Sequence, residues 1–185
     1  MSNLEKYRSL LTDVDALLLT GRVNRMYAAQ YGIAEGVCVI TRDEAFYFTD
    51  GRYIEAAQNH LEGFTALLVD REHPYADRIN EVIAKYTVKT LGFEEAELTY
   101  AEYQRYSAKL HAVLVPYQDK LDAPRAAKEP WELERMRAAQ KVTDRVFAEL
   151  LDVIRAGMTE KELEAELIYR LYQYGAEEPS FDPIV

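Results

Sequence analysis

Short apolar runs that alternate with amphipathic segments over the first two thirds of the chain constrain its fold most strongly. The apolar runs are VDALLLT, VCVI, AFYF, FTALLVD, VKTLGF and AVLVPY. Helical patterns such as RYIEAAQNHL, PYADRINEVIAKY and TYAEYQRYSAKL lie between them, and strands that alternate with helices form a sheet between helical layers. VCVI and AFYF flank TRDE and predict an antiparallel hairpin whose two faces are both covered. The sequence therefore predicts a layered α/β/α domain with a mixed sheet.

The segment GRVNRMYAAQYGIAEG lies between the first two of these runs and has glycine at both ends. Because glycine punctuates both ends, we predict a loop or irregular turn. Asp50 is interpreted as the cap of the helix that follows it, and Thr99 as the cap of TYAEYQRYSAKL.

The character of the chain changes after Pro124, where one long helical pattern begins and continues to Gly157. An apolar stripe runs along it at steps of three and four, through Met136, Ala139, Thr143, Val146, Leu150 and Val153. Thr159 and Glu162 form a capping box that begins a second helix. PSFDPIV then predicts the start of a buried strand. We place a domain border after Pro124, so that residues 1–124 form one domain and residues 125–185 the start of another.

The charge balance and the single cysteine limit the partners and the compartment. A net charge of −10 disfavours nucleic acid and anionic membranes, which are bound through basic patches. No stretch approaches the ~20 apolar residues that span a bilayer. Cys38 lies in the apolar run GVCVI, and we interpret it as a buried thiol rather than a reactive one. With no leader-like apolar segment at the start of the chain, we expect a cytoplasmic protein.

No catalytic group can be assembled from these residues alone. His60, His73 and His111 have no metal-ligand spacing, and no nucleotide-binding or nucleophile motif is present. Asp50 and Asp182 are the acids best placed to reach a pocket. The simpler interpretations are a helix cap for Asp50 and a turn residue for Asp182, which precedes Pro183.

Four segments, in order, carry recognisable motifs: NRMYAAQYG with GVCVITRDEAFYFTDGRYIEAA, PRAAKEPWELERMRAAQKVTD, IRAGMTEKELEAEL and PSFDPIV. Together they resemble the creatinase/prolidase family of Xaa-Pro peptidases. The first resembles its amino-terminal domain, and the others resemble the linker, first helices and first strand of its catalytic domain. The matching residues are Asn24, Tyr27, Gly32, Thr49, Asp50, Arg52, Tyr53, Arg125, Lys128, Gly157, Met158, Thr159 and Glu160, with Glu132 or Glu134 and Ala138 or Ala139.

The resemblance implies a ribonuclease-H-like amino-terminal domain, followed by a truncated α+β segment of two helices from a "pita-bread" catalytic domain. In the family, His, Asp and Glu ligands that would follow Val185 hold two divalent metal ions, which are Mn, Co or Zn. We therefore expect no catalytic residue and no metal ligand within this chain, and no activity of the chain alone. The parent protein is expected to hydrolyse the bond before proline, as an aminopeptidase P or a prolidase.

The resemblance also suggests which residues line the substrate cleft. Tyr27 and Tyr31 are candidates for its rim, and Phe181 for a strand that approaches the metals. The alternatives are loop aromatics packed on their own domain and a plain core residue. Proline-containing peptides and a second copy of the chain are the expected partners. A non-catalytic binding or dimerisation module of the same fold is the alternative function.

Overall fold

The computed structural model describes all 185 residues, which divide into two compact units, Met1–Ala127 and Lys128–Val185. The first unit contains six strands: β1 (Ala16–Leu19), β2 (Val37–Ile40), β3 (Ala45–Thr49), β4 (Thr65–Leu68), β5 (Thr90–Phe93) and β6 (Val113–Pro116). Its six helices are α1 (Asn3–Arg8), α2 (Arg22–Ala29), α3 (Ile54–His60), α4 (Tyr75–Tyr86), α5 (Tyr100–Lys109) and α6 (Gln118–Ala126). The second unit contains α7 (Pro130–Leu151) and α8 (Glu160–Gln173).

The sheet is mixed, as the sequence predicts, with the strand order β4-β3-β2-β1-β5-β6. Only β2 runs antiparallel to its neighbours, β1 and β3, and the other pairings are parallel. The predicted β2–β3 hairpin is confirmed, with Cys38 opposite Tyr47 and Val39 opposite Phe46. Five strands therefore end at the same edge of the sheet, and the turns that follow them form one rim.

Both faces of the sheet are covered, which confirms the expectation drawn from the unbroken apolar runs. One face carries Leu17, Cys38 and Tyr47, which pack in a cluster with residues of α1, α2 and α6. The other face carries Leu18 and Phe46, which pack in a cluster with residues of α4. Alternate residues of one strand thus serve opposite layers. Cys38 is buried, as predicted, and burial raises the pKa of its thiol.

The predicted loop over residues 21–36 is wrong, because Arg22–Ala29 form the helix α2. Its buried positions include Asn24 and Arg25 together with Ala28 and Ala29. Half of these buried positions are polar, whereas the usual sequence pattern of a helix has an apolar buried face.

The long helical pattern after Pro124 is also interrupted. Helix α6 continues through Pro124 and ends at Ala126, and α7 begins at Pro130. Pro130 occupies the first helical position, where its missing N–H costs nothing. The predicted domain border at residue 124 falls inside α6, three residues before the end of the first unit at Ala127.

The second unit leaves much apolar surface uncovered. Of the predicted stripe on α7, only Val146 and Leu150 are buried, and Met136 is exposed. The capping box of Thr159 and Glu162 is confirmed at the start of α8. PSFDPIV forms no strand, and the second unit contains no other strand with which it could pair. No helix of the chain has the length and apolar character required to cross a membrane.

Candidate functional site

The family-motif residue Asn24 lies at the centre of a polar cluster, which we call the Asn24 hub: the buried Tyr7, Asn24 and Glu94 with the partly exposed Asp122 and Arg125. The side-chain oxygen of Asn24 accepts hydrogen bonds from the Tyr7 hydroxyl (2.7 Å) and from Arg125 Nε (2.7 Å). Its amide nitrogen donates to Glu94 Oε1 (2.7 Å) and Asp122 Oδ1 (3.2 Å). All four hydrogen-bonding positions of this amide are used. Asn24 thereby connects α1, α2, α6 and the turn after β5.

Glu94 completes the hub at the end of β5, where its side chain is 0% exposed. Its second carboxylate oxygen accepts hydrogen bonds from the backbone N–H groups of Thr20 (2.6 Å) and Gly21 (2.8 Å). These groups lie where β1 leads into α2, and unpaired N–H groups at a helix start favour a negative charge. Burial raises the pKa of Glu94, and the hydrogen bonds from Gly21, Asn24 and Thr20 oppose that rise. The chain thus supplies its own anion at a position where other α/β folds bind phosphate.

Tyr27 lies in a contact between helices in the first unit. Its hydroxyl donates to the carbonyl oxygen of Pro124 (3.0 Å) and accepts from Lys6 Nζ (3.0 Å). Its own carbonyl oxygen accepts from Asn3 Nδ2 (2.9 Å). The motif positions Asn24 and Tyr27 therefore both bind the last turn of α6, one through Arg125 and one through Pro124.

Tyr31 and Phe181, the other cleft candidates, have quite different surroundings. The Tyr31 ring stacks on the His60 imidazole, with ring centroids 4.8 Å apart and planes 6° apart. His60 Nδ1 lies 3.0 Å from the carbonyl oxygen of Ala56, which fixes the orientation of the ring. Phe181 belongs to the second unit, where it is 73% exposed and outside any strand.

Asp50, Arg52 and Tyr53 form the turn between β3 and α3. The Asp50 carboxylate accepts hydrogen bonds from the backbone N–H of Arg52 (2.9 Å) and from its guanidinium (2.6 Å to Nη2). These contacts hold the pKa of Asp50 below its usual value. The guanidinium also lies over the Tyr53 ring, 5.0 Å from its centroid. The predicted helix cap at Asp50 is wrong, because Tyr53 occupies the cap position of α3 and Asp50 closes the preceding turn.

The acids at the carboxyl ends of the parallel strands are used in the same way, to close turns. Asp70 accepts from the N–H groups of Glu72 (2.9 Å) and His73 (2.7 Å). Glu95 accepts from those of Tyr117 (2.8 Å) and Gln118 (3.0 Å), which caps α6. No three His, Cys, Asp or Glu residues of the chain come together in a way that could hold a metal ion. The residues present therefore do not fit a two-metal centre.

Several residues of the site are not indicated by any sequence motif. Tyr7, Glu94 and Asp122 look like ordinary helix and turn residues, since what distinguishes them is contact with Asn24 across 17, 70 and 98 positions. Arg25 is also buried. Its guanidinium donates to the Tyr47 hydroxyl (2.7 Å) and to the carbonyl oxygen of Ile33 (3.4 Å). The one available clue was the pair of acids directly after a buried strand, in GFEE.

Comparison with known proteins identifies the family. Residues 4–127 match the Creatinase/Prolidase N-terminal domain, and residues 134–185 match metallopeptidase family M24. A mixed sheet between helical layers, joined through α6 to the start of a second unit, is thus the fold of a known class of peptidase chains. This chain belongs to the creatinase/prolidase family, and the resemblance stated from its motifs is confirmed.

Individual relatives agree with this assignment. The chain is 31% identical to the uncharacterized peptidase YqhT of Bacillus subtilis, over 98% of this chain and 52% of that protein. The Xaa-Pro dipeptidase from Bacillus anthracis superimposes with a TM-score of 0.90 at 28% identity, over 97% of this chain and 51% of that one. The X-Pro aminopeptidase from Thermotoga maritima gives a TM-score of 0.86 at 26% identity, over 98% and 52%. The chain spans about half the length of the relatives it matches.

Proposed function

We propose that this chain is the amino-terminal part of a metal-dependent Xaa-Pro peptidase, of the aminopeptidase P or prolidase type. The parent would hydrolyse the peptide bond before proline. The observation that carries the proposal is that both family matches follow each other in order along nearly the whole chain. The first unit would be the amino-terminal domain and the second the start of the catalytic domain, with the border near residues 124–127.

The two divalent metal ions of such a peptidase, Mn, Co or Zn, would be held by residues outside this chain. The proposed task of the first unit is to restrict the substrate cleft and to make contacts between subunits. Tyr31 and Phe181 retain exposed surface that could face a substrate. Tyr27 would take part through its ring, since its hydroxyl is engaged by Pro124 and Lys6.

Proline-containing peptides and a second copy of the chain are the partners we propose. The cytoplasm is the proposed compartment, because the only cysteine is a buried thiol and no disulfide is needed to hold the fold.

A non-catalytic binding or dimerisation module is the second candidate function. It is favoured by the large apolar side chains that the second unit exposes, because such surface usually marks a place where another protein binds. These residues are Leu133, Met136, Phe147, Leu151, Ile154, Tyr169 and Tyr172.

Peptide hydrolysis separates the two candidates. The chain of 185 residues and the longer gene product that the proposal requires are each supplied with Mn²⁺, Co²⁺ or Zn²⁺. They are then given paired peptides that carry proline or alanine in the second position. We expect the longer product to cleave only the proline peptides and the shorter chain to cleave neither. A longer product that cleaves neither peptide with any of the metals would contradict the peptidase proposal and favour the module.

A further inference from the structure

Helix α6 contacts the rest of the first unit mainly through polar side chains. Leu121 is its only fully buried residue, and Pro124 lies within its last turn. A Pro inside a helix removes a backbone hydrogen bond and weakens that turn. Apolar packing and helix propensity therefore contribute little to fixing where this helix ends.

The Asn24 hub fixes the last turn of α6 from one side. Arg125 donates through Nε to Asn24 Oδ1 (2.7 Å) and through Nη2 to Asp122 Oδ1. Asp122 lies on the same helix and also accepts from Asn24 Nδ2 (3.2 Å), so that Asn24 binds α6 at two residues and fixes the rotation of the helix. Asn24 in turn is held in place by Glu94 and Tyr7 on elements outside α6.

A second anchor, independent of the hub, holds the same turn. The Tyr27 hydroxyl donates to the carbonyl oxygen of Pro124 (3.0 Å). Tyr27 is one helical turn beyond Asn24 on α2, so that two neighbouring positions of α2 bind two neighbouring residues of α6. Directional bonds at both residues fix the position of the turn along α2 as well as its rotation.

We infer that Asn24, Asp122 and Arg125 are positioning residues, which hold the end of α6 at one place on α2 and so fix where the chain leaves the first unit. The inference rests on the proposed function, because the segment that leaves this helix would lead into the catalytic domain of the peptidase. Tyr7, Asn24 and Glu94 are buried, and the desolvation energy that burying polar groups costs is roughly offset by their hydrogen bonds. The main result of such a network is thus a defined geometry rather than a large gain in stability.

Amide exchange on the chain of 185 residues tests this with two matched substitutions on α6. Arg125→Lys keeps the charge but removes the fork that reaches Asn24 and Asp122 together. Lys120→Met removes the other ion pair of the helix, which joins Lys120 to Asp13 on the surface and is therefore worth little. In the arginine variant we expect exchange at residues 121–123, 125 and 126 to accelerate roughly ten- to hundredfold. In Lys120→Met we expect a change of less than about threefold. Amides of α4 should keep their protection in both.

Equal acceleration in the two variants, or none in either, would overturn the inference, because α6 would then be held without the hub. A kinetic arm uses the longer gene product. There Arg125→Lys should lower kcat/KM for a proline peptide several-fold with an unchanged melting temperature, and Lys120→Met should not. An unchanged kcat/KM in an active Arg125→Lys enzyme would overturn the positioning role in catalysis. If the unsubstituted longer product is inactive, the proposed function fails, while amide exchange still decides whether the hub fixes α6.

Discussion

At the scale of single residues, the first unit depends on polar side chains that are buried and fully hydrogen bonded. The sequence motifs pointed to Asn24, Tyr27 and Arg125. They did not show that Asn24 and Tyr27 on α2 form hydrogen bonds with α6, where Arg125 lies. Their partners Glu94 and Asp122 could not be predicted, since only the folded chain brings them to Asn24. The motifs mark these positions as shared with the family, and the structure shows the hydrogen bonds that these residues make.

Glu94→Gln is expected to destabilise the chain by about 1–3 kcal/mol. Both oxygens of the carboxylate accept hydrogen bonds, from Thr20, Gly21 and Asn24. Glutamine would point an NH₂ donor at one of these donors and leave a buried pair unsatisfied. Urea unfolding measures the loss, with Glu97→Gln in the same turn as the control, because Glu97 is exposed. Equal losses in the two variants would show that the hub does not depend on the carboxylate.

Gly21→Ala tests the close approach of the backbone to Glu94. A Cβ atom at this position would lie 2.8 Å from Glu94 Oε1 and 2.7 Å from Glu97 Cγ. Glu97 can move, but Glu94 is held by its hydrogen bonds, and we expect a loss of about 1–3 kcal/mol. Gly51→Ala is the control, because nothing lies within 4 Å of a Cβ there. A neutral Gly21→Ala, measured by urea unfolding, would mean that the turn into α2 has room to adjust.

At the scale of helices and strands, prediction succeeded where a local pattern determines the element. The hairpin around TRDE, the cap at Thr99 and the capping box at Thr159 are confirmed. Helix α2 was missed because its inward face carries the polar residues Asn24 and Arg25, and most partners of Asn24 are distant in sequence. The final strand was predicted from residue type and from the family resemblance, whereas a strand also requires a neighbour with which it can pair.

The contact between α7 and α8 is expected to respond to acid through Glu149. Its carboxylate accepts hydrogen bonds from the Tyr174 hydroxyl (2.7 Å), from Arg145 Nε (3.1 Å) and from Arg170 Nη1 (2.8 Å). The bond from Tyr174, followed by that from Arg145, lowers the pKa of Glu149 from its ordinary value of 4.5. The folded pKa lies below the unfolded one. The stabilisation is therefore complete above pH 4.5 and is lost as the pH falls through the lowered pKa.

An NMR titration of the Tyr174 ring signals follows this contact directly. In the natural chain we expect a transition below pH 4.5, and in Glu149→Gln we expect that transition to be absent. Glu164→Gln is the control, because Glu164 pairs with Lys161 within α8 alone. If the Glu149→Gln chain keeps the transition, another group controls the contact.

At the scale of the whole molecule, the two units differ in how much of their apolar surface is covered. The first has a sheet with both faces covered, two apolar clusters and a saturated polar hub. The second consists of two helices with much of their apolar surface exposed. The alternation of strands and helices was enough to predict the first architecture. What covers the apolar faces of the second unit stays a prediction from the family resemblance, since no local pattern reveals what covers an apolar face.

A chain that ends at Ala127 is expected to fold cooperatively without the second unit. It retains every strand of the sheet and the hub, including Arg125 and Asp122 on α6. A chain that ends at Pro116 loses α6 and should melt at a lower temperature, because Leu121 and the partners of Asn24 are removed. Calorimetry compares the two. The absence of a cooperative melt in the longer of these chains would contradict the independence of the first unit.

The central proposal is that this chain is the front part of a Xaa-Pro metallopeptidase and does not contain the residues of its metal centre. Isothermal titration with Mn²⁺ and with Co²⁺ tests it most directly, on this chain and on the longer gene product. The account predicts no defined tight site in the chain of 185 residues and stoichiometric uptake by the longer product. A stoichiometric, submicromolar site in the shorter chain would contradict it.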